Sequence, residues 1–221
     1  MREASGQIVY KFGFGQSPFP PPQQAVAELS RRSAHKEYLP VQGLLELRES
    51  VANYHNYYDG LDITAEGVAI GAGSKILIYN ILRSFTDADV ILVTPSWVSY
   101  EPQCILAGLN VIRIQTTAET GWGVTPELLQ RAISSRSNHG KPLLCILNYP
   151  GNPNGRTYSV EQLSQLANTC RDNNILLISD EIYGHLSFSK HTSMQALYPE
   201  GTIVTGTPFA VCTPLLIIPF L

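Results

Sequence analysis

The sequence predicts an α/β fold built on a mostly parallel sheet. Three observations predict it. From residue 67 to residue 206 short apolar segments alternate with amphipathic, helix-spaced ones. Two of the apolar segments, PLLCILN (142–148) and ILLIS (175–179), run without a polar break, as strands buried on both faces do. Polar and small residues then gather directly after the strands, where ligands of parallel sheets sit.

The elements follow in order. FGFGQSPFPPPQQ (12–24) is rich in Gly and Pro and reads as an extended arm. AVAELSRRSAHK (25–36) has helical spacing, with Ala25, Leu29 and Arg32 on one face and Pro40 as its stop. LLELRESVANYHNYY (44–58) is a second helix, carrying Leu44, Leu47, Val51 and Tyr54 on one face. Strands are predicted at 67–73, 89–94, 110–115, 142–148, 175–179 and 201–206. Helices are predicted at 74–85, 99–108, 125–136 and 159–173. Thr125-Pro126 is an N-cap followed by a proline that suits the first turn, and Ser159 with Gln162 forms a capping box. TPFAVCTPLLIIPFL (207–221) breaks the pattern: it has no charge, and prolines at 208, 214 and 219 argue against a regular helix or central strand.

Composition excludes several classes. The 221 residues carry 15 Lys+Arg against 18 Asp+Glu, a net charge of -3, with no basic cluster to serve as a nucleic-acid footprint. No stretch has the length and apolarity of a membrane span, and the opening residues have no apolar signal core. Cys104, Cys145, Cys170 and Cys212 form no CxxC pair. A reducing compartment is expected, the cytoplasm or an organelle stroma.

Candidate chemistry lies at the strand ends. Gly71-Ala72-Gly73-Ser74-Lys75 opens a helix and could cradle a phosphate, although a tight strand–helix turn explains it equally well. Thr94, Pro95, Ser96, Trp97 and Tyr100 follow the next strand, where Trp97 could stack on a flat ligand or sit in the core. Asn148-Tyr149-Pro150-Gly151-Asn152-Pro153 makes a stiff polar loop able to aim Asn152 inward. Asp180 ends a buried apolar strand and needs a partner, either a protonated ring nitrogen of a ligand or a nearby arginine.

Taken in this order the segments resemble the class I/II aminotransferases among the fold-type I pyridoxal-phosphate (PLP) enzymes. The matching pieces are FGQSPFPPP (14–22), YLPVQGLLELRESVA (38–52), GAGSK (71–75), TPSWVSYEP (94–102), NYPGNPNG (148–155) and SDEIYGHL (179–186). The resemblance covers about residues 8–206. It implies the large domain of a PLP-dependent transferase, an α/β/α sandwich that is incomplete here. Residues 1–66 would be an arm and helices belonging in part to a small domain, 67–206 the PLP-binding domain, and 207–221 a tail unlike the family. The implied function is amino-group transfer from an amino acid to a 2-oxo acid, in a homodimer. Another PLP reaction, such as C–S lysis or a ring-forming elimination, and a non-catalytic fragment are the alternatives. Residue by residue, the resemblance assigns Gly73, Ser74 and Lys75 to the cofactor phosphate and Trp97 to stacking on the pyridine ring. Asn152 and Tyr183 would bond the ring oxygen, and Asp180 would pair with the ring nitrogen. Gly15, with Asn152, would lie by the substrate, and Tyr38 would reach the neighbouring subunit's phosphate.

One departure matters. The family's cofactor-linking lysine is expected just after the strand at 202–206, near position 210, where this chain has Ala210. The lysines are Lys11, Lys36, Lys75, Lys141 and Lys190, and none follows that strand. No catalytic residue is therefore assigned. A shifted reading frame or alternative splice is the expected origin of the tail, with a natural pseudoenzyme as the competing account.

Overall fold

The computed structural model describes residues 20–206 and the strand at 216–219. The chain forms two compact units: one holds helix α1 (Gln23–Arg32), the other everything described from Tyr38 onward. Helix α1 buries none of its residues, and Glu28 pairs with Arg31 and Arg32 along its surface. It ends at Arg32, eight residues before the expected stop at Pro40. The Ser30 and Ser33 hydroxyls bond back to the carbonyls of Val26 and Ser30 at 3.0 and 2.8 Å, a local alternative to continuing the helix.

In the second unit, helix α2 (Leu45–Tyr58) buries Val51 and Ala52 against Val68 of strand β1 (Val68–Gly71). Then follow α3 (Ser74–Arg83), β2 (Asp89–Thr94), α4 (Tyr100–Leu106), β3 (Asn110–Gln115), α5 (Pro126–Ser134), β4 (Leu143–Asn148), α6 (Val160–Asp172), β5 (Ile175–Asp180), β6 (Thr202–Thr205) and β7 (Leu216–Pro219). Strands β3-β2-β4-β5-β6 form a five-stranded parallel sheet in that order. The expected α/β fold with a mostly parallel sheet is what the structure shows.

Side-chain alternation makes the sheet a middle layer. On β4, Leu144 and Ile146 face one core with Val90, Leu92, α3 and α4. Cys145 and Leu147 face the other, with Ile91, Leu177, α5 and α6. A strand that alternates between two cores must be apolar at every position, which is why LLCIL has no polar break. Both predicted caps are present: Thr125 Oγ1 accepts from the Leu128 amide at 3.4 Å, and Ser159 and Gln162 form the reciprocal box. At the amino end of β2, Asp89 holds Arg136 Nε at 2.8 Å with both side chains buried, and Asn110 Nδ2 donates at 2.8 Å. Burial pushes the Asp89 carboxyl up, but these partners outweigh it and the net shift is downward.

Two expectations are corrected. Strand β1 is not part of the parallel sheet; it pairs antiparallel with β7, which also runs beside β6. The tail therefore contains a strand where prolines argued against one. Pro219 is the last residue of β7, opposite Val68, and Pro214 precedes the strand, so neither sits in its interior. Among the described residues no helix is long and apolar enough to cross a membrane.

Candidate active site

The carboxyl ends of β2, β4 and β5 and the start of α3 converge on one cleft. Ser74 comes from the start of α3, Trp97 from the turn after β2, Tyr100 from the start of α4, Asn148 from the end of β4, Asn152 from the turn after it, Asp180 from the end of β5 and Tyr183 from the turn that follows. Each strand stops where its apolar run meets these polar residues, so the same pattern that buries the strands exposes their ends as a pocket. Gly73, at φ 97°, turns the chain into α3, and no side chain caps that helix. Trp97 packs edge-to-face on Tyr100 with ring centroids 5.4 Å apart, and the Lys75 ammonium lies 5.0 Å from the Trp97 ring centre. Between the two loops that follow β4 and β5, Asn152 Nδ2 is 3.4 Å from the Tyr183 hydroxyl. The Asn152 loop is held from behind: its backbone amide donates to Asn148 Oδ1 at 2.7 Å, and Asn148 Nδ2 donates to the Asp180 carbonyl at 2.8 Å.

Asp180 is the electrostatic centre. It is 3% exposed. Its Oδ2 accepts from the Tyr100 hydroxyl at 2.6 Å and its Oδ1 from the Ile182 amide at 3.4 Å. Among the described residues no lysine, arginine or histidine pairs with it. Burial pushes its carboxyl up to about 6, against the opposing pull of Tyr100, the Ile182 amide and Thr205, with the Glu181 charge adding to the rise. Burial and the neighbouring Asp180 charge drive the Tyr100 phenol well above its usual value, so it stays a neutral donor. The arginine alternative for Asp180 is thus not realised among these residues. A buried carboxylate bonded only by neutral donors is an open acceptor for a cation entering the cleft.

A model of the class I and II aminotransferase family matches residues 7–211. The chain belongs to this family. It is 32% identical over 201 residues to an aspartate aminotransferase of Bacillus subtilis, covering 88% of this chain and 50% of that protein. It is 33% identical to an aspartate/prephenate aminotransferase of Thermus thermophilus, covering 87% and 50%. The solved aspartate aminotransferase from Thermus thermophilus with maleate superposes with a TM-score of 0.86 at 27% identity, over 99% of this chain and 58% of that one. The chain spans about half the length of the curated relatives it matches.

Within this family member the cleft gathers Ser74, Trp97, Asn152, Asp180 and Tyr183 from the residues singled out by sequence. Gly73 and Lys75 flank Ser74 at the start of α3. Tyr38 does not line the cleft; it is fully exposed. Gly15 and Ala210 lie outside the described residues. The sequence assigned no role to Asn148, Ile182 or Tyr100. Tyr100 stood in view at the end of β2, but nothing local announces that its hydroxyl meets a carboxylate 80 residues away.

Proposed function

We propose that the cleft is the pyridoxal-phosphate site of an aminotransferase, and that this chain holds the cofactor without a covalent link. The observation that carries the reading is Asp180: a buried carboxylate raised in pKa, with no cationic partner among the described residues. A protonated pyridine nitrogen is the group it fits, and one bound there supplies an electron sink for the carbanion formed when an amino acid loses its Cα proton. Trp97 would stack on the ring, Asn152 and Tyr183 would bond its phenolic oxygen, and the uncapped start of α3 with Gly73, Ser74 and Lys75 would take the phosphate. The substrates would be an amino acid and a 2-oxo acid; the relatives' names make aspartate the first to try. Fully exposed Tyr38 suits a homodimer, in which it would reach the second copy's cofactor. The free, buried cysteines Cys104, Cys145 and Cys170 suit a reducing compartment such as the cytoplasm.

Turnover needs a base to move the proton from Cα, and the family's lysine for that task has no counterpart after β6, where Ala210 stands. The chain is accordingly proposed to bind the cofactor but not to transaminate. Borohydride reduction of the PLP-loaded chain, followed by peptide mass mapping and an aspartate half-reaction, tests this. The expected result is no stoichiometric adduct and no turnover. Fixation at one lysine together with a half-reaction would refute it.

A further inference from the structure

The most densely bonded side chain near the cleft does not line it. Glu181 follows Asp180 and is buried. Its Oε1 accepts from the Ser179 hydroxyl at 2.7 Å, the Tyr149 hydroxyl and the Met194 amide at 3.0 Å, and the Ser193 hydroxyl at 3.1 Å. Its Oε2 lies 2.7 Å from His191 Nε2. Its own amide donates to the Thr205 carbonyl at 2.8 Å. Its side chain thus gathers the exits of β4 and β5 and the 191–194 segment, and its backbone amide adds the end of β6.

We propose that Glu181 is a positioning residue: its carboxylate fastens the root of the Asn152 loop to the Asp180–Tyr183 turn and so fixes the spacing of the two walls of the cleft. The geometry supplies the path. Tyr149, bound to Glu181, adjoins Asn148, which takes the Asn152 amide on its Oδ1 and gives its Nδ2 to the Asp180 carbonyl. On the other side the Gly184 amide bonds the Glu181 carbonyl at 2.8 Å, closing the turn that presents Tyr183. A carboxylate suits the position because it only accepts, and every polar group facing it here can donate. With His191 protonated, the state that its bond to Glu181 favours, both carboxylate oxygens face donors, so the NH2 of a glutamine meets a donor whichever way it turns, loosening this spot rather than the whole fold.

The inference rests on the PLP reading of the cleft, and its test separates the two. Amide hydrogen exchange is compared between the full chain and Glu181→Gln. Gly151, Asn152 and Gly155, together with Gly184 and Leu186, should exchange at least tenfold faster, while Val90–Leu92 and Leu144–Ile146 keep their protection. PLP affinity should fall at least tenfold, with an altered absorption spectrum of the bound cofactor, a change that weaker overall stability would not produce. Unchanged exchange at both walls, or an equal rise throughout the sheet, overturns the proposal. Should Glu181→Gln fail to fold, Tyr149→Phe removes one donor and should loosen the same two walls; its failure to do so also overturns it. A native chain that takes up no PLP would refute the reading of the cleft, while the exchange result would still decide the role of Glu181.

Discussion

Tyr100→Phe isolates the bond that keeps Asp180 ionised. The substitution keeps the ring against Trp97 and the core and removes only the hydroxyl that donates to Asp180 Oδ2 at 2.6 Å. A hydrogen bond to a charged acceptor contributes about 1.5–3 kcal/mol. With about 1.4 kcal/mol to one pKa unit, its loss should raise the carboxyl by roughly one to two units. Asp180 sits at about 6 in the native chain, so the variant should titrate at roughly 7–8. At pH 7 the native carboxyl is about nine-tenths ionised, and the variant's would be half ionised or less. Carboxyl 13C NMR of Asp-labelled protein, with Asp180→Asn to assign the resonance, reads the titration directly. A midpoint unchanged within a few tenths of a unit would refute the claim that Tyr100 opposes the burial of Asp180.

Three further outcomes follow from the same structure. Asp89→Ala strands Arg136 in the interior and should cost about 3–5 kcal/mol in urea unfolding, whereas replacing both partners by apolar residues should cost clearly less. Leu144→Ala, which opens a void between β4 and the α3–α4 layer, should cost about 2–5 kcal/mol in the same assay. Burial alone lowers the His191 imidazole, but the bond to Glu181 outweighs it and the net shift is upward. Its contribution to stability is therefore full below its unfolded value and is lost as pH rises through the raised folded value. The melting-temperature difference between the native chain and His191→Gln should shrink over that window, and a difference that grows with pH would contradict it.

Much of the fold was legible because its signals are local. Strands β2 and β3 coincide with the expected 89–94 and 110–115, and the Ser159 box starts α6 where predicted. What was missed depends on distant partners. The sequence marks 67–73 as apolar and ending in glycines, but nothing within it says that β1 pairs antiparallel with β7 instead of joining the parallel sheet. Prolines 214 and 219 read as breakers because their positions relative to the ends of β7 are set by the pairing itself. Helix α1 buries none of its face, so apolar spacing had little hold on its end, and serine hydroxyls closed it early. In the site, strand-end position exposed Trp97, Asn152 and Asp180, while the groups that hold them, Tyr100, Asn148 and Glu181, act through contacts that sequence spacing does not encode.

An equilibrium titration of PLP against the native chain and Asp180→Asn at pH 7.5 tests the central claim most directly. The substitution keeps the side chain's size and removes the buried charge that would meet the ring nitrogen, so affinity should fall roughly hundredfold or more, as for a broken buried ion pair. Reversible binding of one PLP per native chain, and this loss in the variant, are the expected results. Equal affinity in the two proteins, or no binding by a folded native chain, would contradict the claim.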